Sequence, residues 1–508
     1  MVRRSSHVYR VALAAALAIG LLGATALSPA AAQPAVLDPG LQVTTVVAGL
    51  SAPTAFAFIG ANDMFVAEKN SGIVRRVTGG VVAGPVLDLA VNGAGQRGLL
   101  GMALSPTFAS DGNVFIYWTT SSTGADTTTT LSVPLLGNRV DRFHWNGSTL
   151  TFDANVLQLR ALQNDPPQTP GAANNGGALR FGADGKLYVS VGDVGRRGWM
   201  QNLAGGPAGF GPDDAFGGPA PDSAHLTGVV LRVNPDGTAP ADNAFFAAGS
   251  AIGGEVGQNI QKVYAYGFRN GFGMAIDPLS GALWNVDNGD DAFDEINKIG
   301  AGSNGDWIQF MGPSSRFADF KAIETASANG LGQDRYPASS IAPDGVEALS
   351  RTFMLPGASH LDPELSWLHA IAPSALGFMD GDGLGAAYAG AMFVGAATPA
   401  LDDGYLLRLR LDAARNHLDL SADPRLADRV ADNLGKFNAS ESETLRFGTG
   451  FGVVTDIQTG PDGLLYVASL SRGAIYVISP ASDTPVPAPA TAGLLGLGLV
   501  ALRALRRR

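Results

Sequence analysis

The chain has no cysteine, which excludes disulfides, thiolate metal sites and thiol catalysis and is compatible with an oxidising compartment. Charge is scarce as well, with only 16% of the 508 residues being Asp, Glu, Lys or Arg. The formal net charge is −11, and the Lys and Arg residues are scattered or terminal. A nucleic-acid partner is therefore not expected, because phosphate binding needs clustered cations. Long helical periodicities are few. What the chain does have is 46% apolar residues together with 67 Gly and 30 Pro. That composition can bury a large core and favours many short strands joined by turns, so the expected class is all-β.

The two ends carry targeting patterns. Arg3, Arg4 and Arg10 precede an apolar run from Val11 to Leu27, and the small residues Ser28 to Ala32 follow, ending at Gln33. This layout reads as a signal peptide over residues 1–33, with an uncleaved membrane anchor as the alternative. At the other end, Pro485 to Pro489 form a Pro-rich spacer before an apolar stretch from Thr491 to Leu502 and a cluster of Arg503, Arg506, Arg507 and Arg508. A helix over that apolar stretch would be roughly 18 Å long against a hydrocarbon core of about 30 Å, short for a stable anchor. The order of spacer, apolar segment and Arg cluster resembles the PEP-CTERM sorting signal, which directs exported proteins to an exosortase, although Ala488 stands where that family has Glu. The expectation is an exported, secreted or cell-envelope protein in which 481–508 is a sorting segment that anchors transiently in the inner membrane. A disordered tail is the alternative.

Between the ends, one strand–turn–strand unit recurs six times. Its clearest copy pairs Leu179-Arg180-Phe181 with Leu187-Tyr188-Val189 across an Asp184-Gly185 turn. The others pair Ala55–Phe58 with Met64–Val66, Met102–Leu104 with Val114–Ile116, Met274–Ile276 with Leu283–Asn285, Leu376–Phe378 with Met392–Val394, and Thr455–Ile457 with Leu465–Val467. Every returning strand has an aromatic at its centre. Such units, each extended by one or two more strands, make the blades of a six-bladed β-propeller over residues 41–480, with Leu41 to Val47 closing the ring in the last blade. Two β-sandwiches are the alternative architecture. Arg196 to Leu226 and Gly312 to Trp367 read as long rim loops, and Tyr264 to Ile299 is the densest polar run.

Several segments resemble, in order, the soluble PQQ-dependent glucose and sorbosone dehydrogenase family. They are Gly95-Gln96-Arg97-Gly98, Asn174-Asn175-Gly176-Gly177, Gly228 to Gly237, Tyr266 to Asn270, Asp294-Glu295-Ile296-Asn297 and Ile371 to Ser374. The resemblance implies a six-bladed propeller with the quinone over the central channel, Gln96, Arg269 and Asn270 at the cofactor, and Arg269 at the substrate too. An Arg beside a redox quinone stabilises the oxyanion formed on reduction. The family's Ca²⁺ is held partly by backbone carbonyls before Asp294, which carries over to Gly289 and Asp290, with Asp294 and Glu295 in the same acidic loop. A solvated acidic loop is the other reading of that crowd.

Departures from the family pattern lie at the reacting centre. The family's general base is a His immediately before the Asn-Gly-Gly motif, and Asn174 stands there. An amide cannot take the proton, and losing a general base costs about 10²- to 10⁴-fold. Cations of the family are replaced by Val453-Val454-Thr455-Asp456 and by Gly395-Ala396-Ala397-Thr398. Lys436, Arg446 and Arg408 are candidates to replace them, and His369 is the best-placed substitute base. The leading reading is a quinoprotein oxidoreductase that oxidises an aldose or related alcohol and passes electrons to an envelope acceptor. Its rivals are a non-catalytic propeller binding a polysaccharide or protein in the extracellular matrix, and a calcium-dependent lactonase.

Overall fold

In the computed structural model the described residues are 33–163, 170–195, 198–202, 226–326, 341–401 and 403–481. The signal segment through residue 32, the sorting segment after residue 481 and most of the loop expected over 196–226 lie outside them. Among the described residues the strands form six sheets. Each unit found in the sequence supplies the first two strands of one sheet, for example Leu179–Phe181 and Leu187–Val191 in the third. The turn between them closes because Gly185 takes φ +68° and the Asp184 carboxylate accepts the Lys186 N–H at 3.0 Å.

The innermost strands are Pro53–Gly60, Leu99–Leu104, Leu179–Phe181, Gly273–Ile276, Pro373–Phe378 and Val454–Thr459. Each packs against the next, and the last packs against the first. This is the all-β propeller expected from the repeats, with a channel along its axis.

The repeated aromatic has a physical reason. A sheet in such a ring is covered on both faces, so its central strands are buried throughout rather than alternately. One core lies between each neighbouring pair of sheets, and each returning strand sends its aromatic into one of them. Phe65 fills the core between the first and second sheets and Phe115 that between the second and third. Tyr188, Trp284, Phe393 and Tyr466 fill the cores that follow. The last of these, where Tyr466 and Ile475 meet Phe56 and Met64, joins the end of the ring to its start.

The ring is latched by strand exchange. Leu41–Ala48 pairs antiparallel with Ala474–Pro480, Leu41 lying opposite Pro480. The segment read as a loop from Gly312 to Trp367 contains two helices, Phe317–Glu324 and Gly345–Arg351. Both are too short for propensity to reveal. They form because Phe317, Phe320 and Ala348 pack with Phe293, Trp307 and Phe310 over the fourth sheet, and because Asp344 caps the second helix through the Glu347 N–H at 2.9 Å.

Candidate functional site

The channel has two unlike ends, because all the innermost strands run the same way. Their first residues, Thr54, Leu100, Ala178, Phe272, Ser374 and Thr455, surround a cavity of about 210 Å³. Their last residues surround a wider one of about 560 Å³ at the opposite end. Between the two, Arg180 from the third sheet meets Asp456 from the sixth at 2.8 Å and closes the channel.

Of the sequence-predicted cofactor residues, Gln96 lines the small cavity and Asn270 reaches it through Gln96. Arg97 is fully buried and donates to the carbonyls of Ala161, Thr130 and Gly171 at 2.7–2.8 Å, which fixes the loop carrying Gln96. Burial pulls its guanidinium down to about 10. Gly98 is required beside it, since at φ +132° an added Cβ would stand 2.3 Å from the Lys69 carbonyl. Gln96 Oε1 then accepts the Asn174 N–H at 2.5 Å and Asn270 Nδ2 at 3.2 Å. Three motifs distant in sequence thus meet at one amide. The Asn270 Oδ1 is buried and has no hydrogen-bond partner.

Asn174 sits in the left-handed region at φ 53°, which Asn tolerates better than most residues. Its Nδ2 donates to Asp193 Oδ1 at 2.8 Å. Asp193 is fully buried and also accepts the Gly195 N–H and Trp307 Nε1, at 2.6 and 2.9 Å. Sequence reasoning did not single out Asp193, although it closely follows the returning strand of the third unit. Lys69 was missed too, and it follows the returning strand of the first unit. Lys69 lines the small cavity and Asp193 holds Asn174, which donates to Gln96, so a place just past a returning strand is the positional signal that would have found both. Lys69 Nζ donates to the Gly93 and Gly95 carbonyls and to Asn70, with no carboxylate of the described residues against it. Burial pulls it down to about 8.

Arg269 is present but already engaged. Its Nη1 donates to the carbonyls of Asn288 and Gly289 at 3.0 and 2.8 Å, its Nη2 pairs with Asp290, and the group lies 5.5 Å from the Trp307 ring centroid. Burial opposes its charge, but Asp290, Asp193, Glu324 and Asp287 outweigh that and hold its pKa up. Asp287 anchors this segment by accepting the backbone N–H groups of Arg269 and Asn270 at 2.9 and 2.6 Å.

The predicted calcium ligands do not converge. Asp290 and the Gly289 carbonyl face Arg269. Asp294 accepts the N–H groups of Gly289, Ile371 and Ala372, and Glu295 those of Gly312 and the Asn297 side chain. Among the described residues no group of three acidic or His side chains is placed to hold a metal. As arranged, these residues do not fit a cation, because a guanidinium already occupies the Gly289 carbonyl and the Asp290 carboxylate. The acidic crowd is instead answered by backbone donors, and burial pushes Asp287 and Asp294 up to about 6, Glu324 to about 7 and Glu295 to about 8.

The substitutes proposed from sequence also lie elsewhere. Lys436 pairs with Asp291, and Arg408 and Arg446 line a groove on the outer side of the fifth sheet. His369 stands in the field of Asp291 and Lys436, with burial pulling its imidazole down, and it does not line the cavity. Val453 and Thr455 are cavity residues, so the two positions are filled by neutral side chains.

A model of the glucose/sorbosone dehydrogenase family matches residues 50–349. The chain belongs to this family. Among its relatives, the quinoprotein glucose dehydrogenase B of Acinetobacter calcoaceticus is 28% identical over 303 residues, 57% of this chain and 58% of that one. An uncharacterised protein of Synechocystis, slr1608, is 28% identical over 440 residues, 85% of this chain and 84% of that one. The PQQ-bound aldose sugar dehydrogenase of Streptomyces coelicolor shares the fold, with a TM-score of 0.52 at 22% identity over 86% of this chain and 98% of that one. In this family member, the converging segments around Gln96 are those that the resemblance pointed to.

Proposed function

We propose that the protein is an exported, PQQ-dependent sugar dehydrogenase-like oxidoreductase acting on an aldose or related alcohol. The observation that carries this reading is the meeting of Gln96, Asn174 and Asn270 at one edge of the small cavity, with the Asn270 carbonyl oxygen buried and unpartnered. A buried acceptor without a donor costs about 1–3 kcal/mol, which a ligand donor would offset. The lining suits a flat heteroaromatic group with polar edges. Leu100, Phe272 and Leu470 supply apolar walls, Gln96 supplies an amide backed by Asn270, and Lys69 supplies one cation for a carboxylate. PQQ, when bound, supplies the two-electron acceptor for oxidation of a sugar hydroxyl.

The chain's own residues divide the remaining tasks. The two bonds to Gln96 Oε1 orient that amide, leaving its Nε2 to donate into the cavity. Asp193 holds Asn174 by its NH₂, so Asn174 presents an oxygen and no titratable nitrogen. Proton removal from the substrate hydroxyl is therefore the weak step, because no described His lines the cavity. By the same reading the propeller is six-bladed over 41–480, 1–33 is an export signal, and 481–508 is a sorting segment for an exosortase-type machinery. An envelope acceptor takes the electrons onward. Titration of the purified protein with PQQ, followed by dye reduction with a sugar panel, tests this. Saturable binding with sugar-dependent reduction is expected, and no binding at about millimolar PQQ would overturn it.

A further inference from the structure

Arginines on this protein are mostly answered by carboxylates. Arg75, Arg139, Arg180, Arg232, Arg316 and Arg415 all pair with Asp or Glu. Arg408, Arg410 and Arg446 are different. None makes an ion pair among the described residues, and all three line one groove of about 540 Å³ on the outer side of the fifth sheet. In a chain of net charge −11, three such cations in one groove call for a reason.

Neighbouring outer strands supply two of them. Arg408 lies in the strand Tyr405–Leu409, and Arg446 opens the strand Arg446–Thr449, where it sits opposite Leu407. Aromatic faces then hold the two guanidiniums still. Arg408 stacks 4.1 Å from the Tyr388 ring centroid and Arg446 4.6 Å from that of Tyr405. Among the described residues Arg408 has one bond, to the Ala387 carbonyl, and Arg446 has no side-chain hydrogen bond. Their Nε atoms are buried without an acceptor. The carboxylates at the rim are engaged locally, Asp38 by the Gly40 N–H and the Tyr388 hydroxyl, Asp419 by the backbone and hydroxyl of Ser421. Burial and the neighbouring Arg410 lower the pKa of Arg408, and the fields of Tyr388 and Asp38 oppose them only in part.

We propose that this groove is a second binding site, separate from the channel, for a ligand bearing an oxyanion of the carboxylate or phosphate class. Stacked guanidiniums present their remaining N–H edges in a fixed geometry, the arrangement that favours bidentate recognition of a planar or tetrahedral oxyanion. The innermost strand of the fifth sheet, which lines the channel, is two strands away from Tyr405–Leu409. Occupancy of the groove is therefore independent of the cofactor reading.

Calorimetric titration of the full chain with inorganic phosphate, with glucuronate and with glucose as the neutral control tests the site. Saturable binding of phosphate or glucuronate is expected, weakened about tenfold or more by Arg446→Gln or Arg408→Gln. It should also weaken as NaCl rises from about 20 to about 300 mM. Binding of phosphate alone assigns the phosphate class, and binding of glucuronate alone assigns the carboxylate class. Arg351→Gln, which removes an equal charge elsewhere, should change nothing. Should either stacked variant fail to fold, Arg410→Gln, on an exposed side chain, carries the same expectation. No binding at about 10 mM of either anion, or binding unchanged by the groove variants but lost in Lys69→Gln, overturns the proposal.

Discussion

The two ends of the central channel are built from the same six strands and differ in almost every chemical respect. The wide end has more than twice the volume and is walled by Phe58, Met102, Phe181, Ile276 and Phe378. Arg180, which reaches it from the pair that plugs the channel, is satisfied within the protein by Asp456, and Asp456 also accepts the Phe56 N–H and Gln458 Nε2. The narrow end has less room but an unpartnered amide oxygen, a lysine with no counter-ion among the described residues and three motifs crowded on Gln96. Volume alone would choose the other end from the one proposed as the cofactor site. Unfinished hydrogen bonding, rather than space, marks the place where a ligand completes the structure.

The sharpest way to break this comparison is at Asn174. Asn174→His restores an imidazole at the narrow end and should raise dye reduction with an aldose by about 10²- to 10⁴-fold. Asp380→Asn at the wide end should leave the rate unchanged. Equal effects at both ends would dissolve the distinction. Next in size is the ion pair between the ends. Asp456→Ala strands the Arg180 guanidinium and removes the acceptor of the Phe56 N–H, and should cost about 3–5 kcal/mol by urea unfolding. Combining Arg180→Met with Asp456→Leu is expected to recover most of that, and a similar loss in the double variant would mean that the pair does more than plug.

A smaller effect is expected from the buried acids beside the narrow end. Glu295 is pushed from 4.5 to about 8 and Glu324 from 4.5 to about 7. Between the unfolded and folded values the native state holds the extra proton, so stability falls as pH rises from about 4.5 to about 8 and levels above that. The urea midpoint should therefore be higher at pH 5 than at pH 8, and Glu295→Gln should flatten the difference. An unchanged slope in that variant would show that the acid is ionised in the fold. The smallest expected effect is that of metal. With Arg269 on the Gly289 carbonyl, chelation by EDTA should move the melting temperature by less than about 1 °C, since a ligand stabilises only by binding the native state. A drop of several degrees, reversed by Ca²⁺, would show that the guanidinium yields its place.

Much of the fold was legible in the sequence because it is periodic. The strand–turn–strand units, their central aromatics and the closing strand at Leu41 all follow from alternation and Asp-Gly turns, which are local properties. Candidate site residues came instead from the family resemblance, and three of them, Gln96, Asn174 and Asn270, do meet. Partners were not legible. Whether Asp290 faces a cation from outside or Arg269 from within depends on a guanidinium 21 positions away, and spacing does not reveal which acceptor a side chain reaches. Arg408 and Arg446 were misplaced for a related reason. Strand register decides which edge of a sheet a residue occupies, and the repeat of the inner two strands does not give that for the outer ones. Lys69 and Asp193 were overlooked because each looks ordinary alone and gains meaning from what it reaches, Lys69 the small cavity and Asp193 the Asn174 amide.

The pairing of Leu41–Ala48 with Ala474–Pro480 has a consequence in time. The sixth sheet cannot be completed until its C-terminal strand has been made, so the first strand waits without its partner while the intervening sheets are synthesised. A ring that shuts only with its last strand remains an open, threadable arc for nearly the whole life of the nascent chain. Ending the chain before Ala474 would therefore leave the molecule not slightly smaller but unclosed.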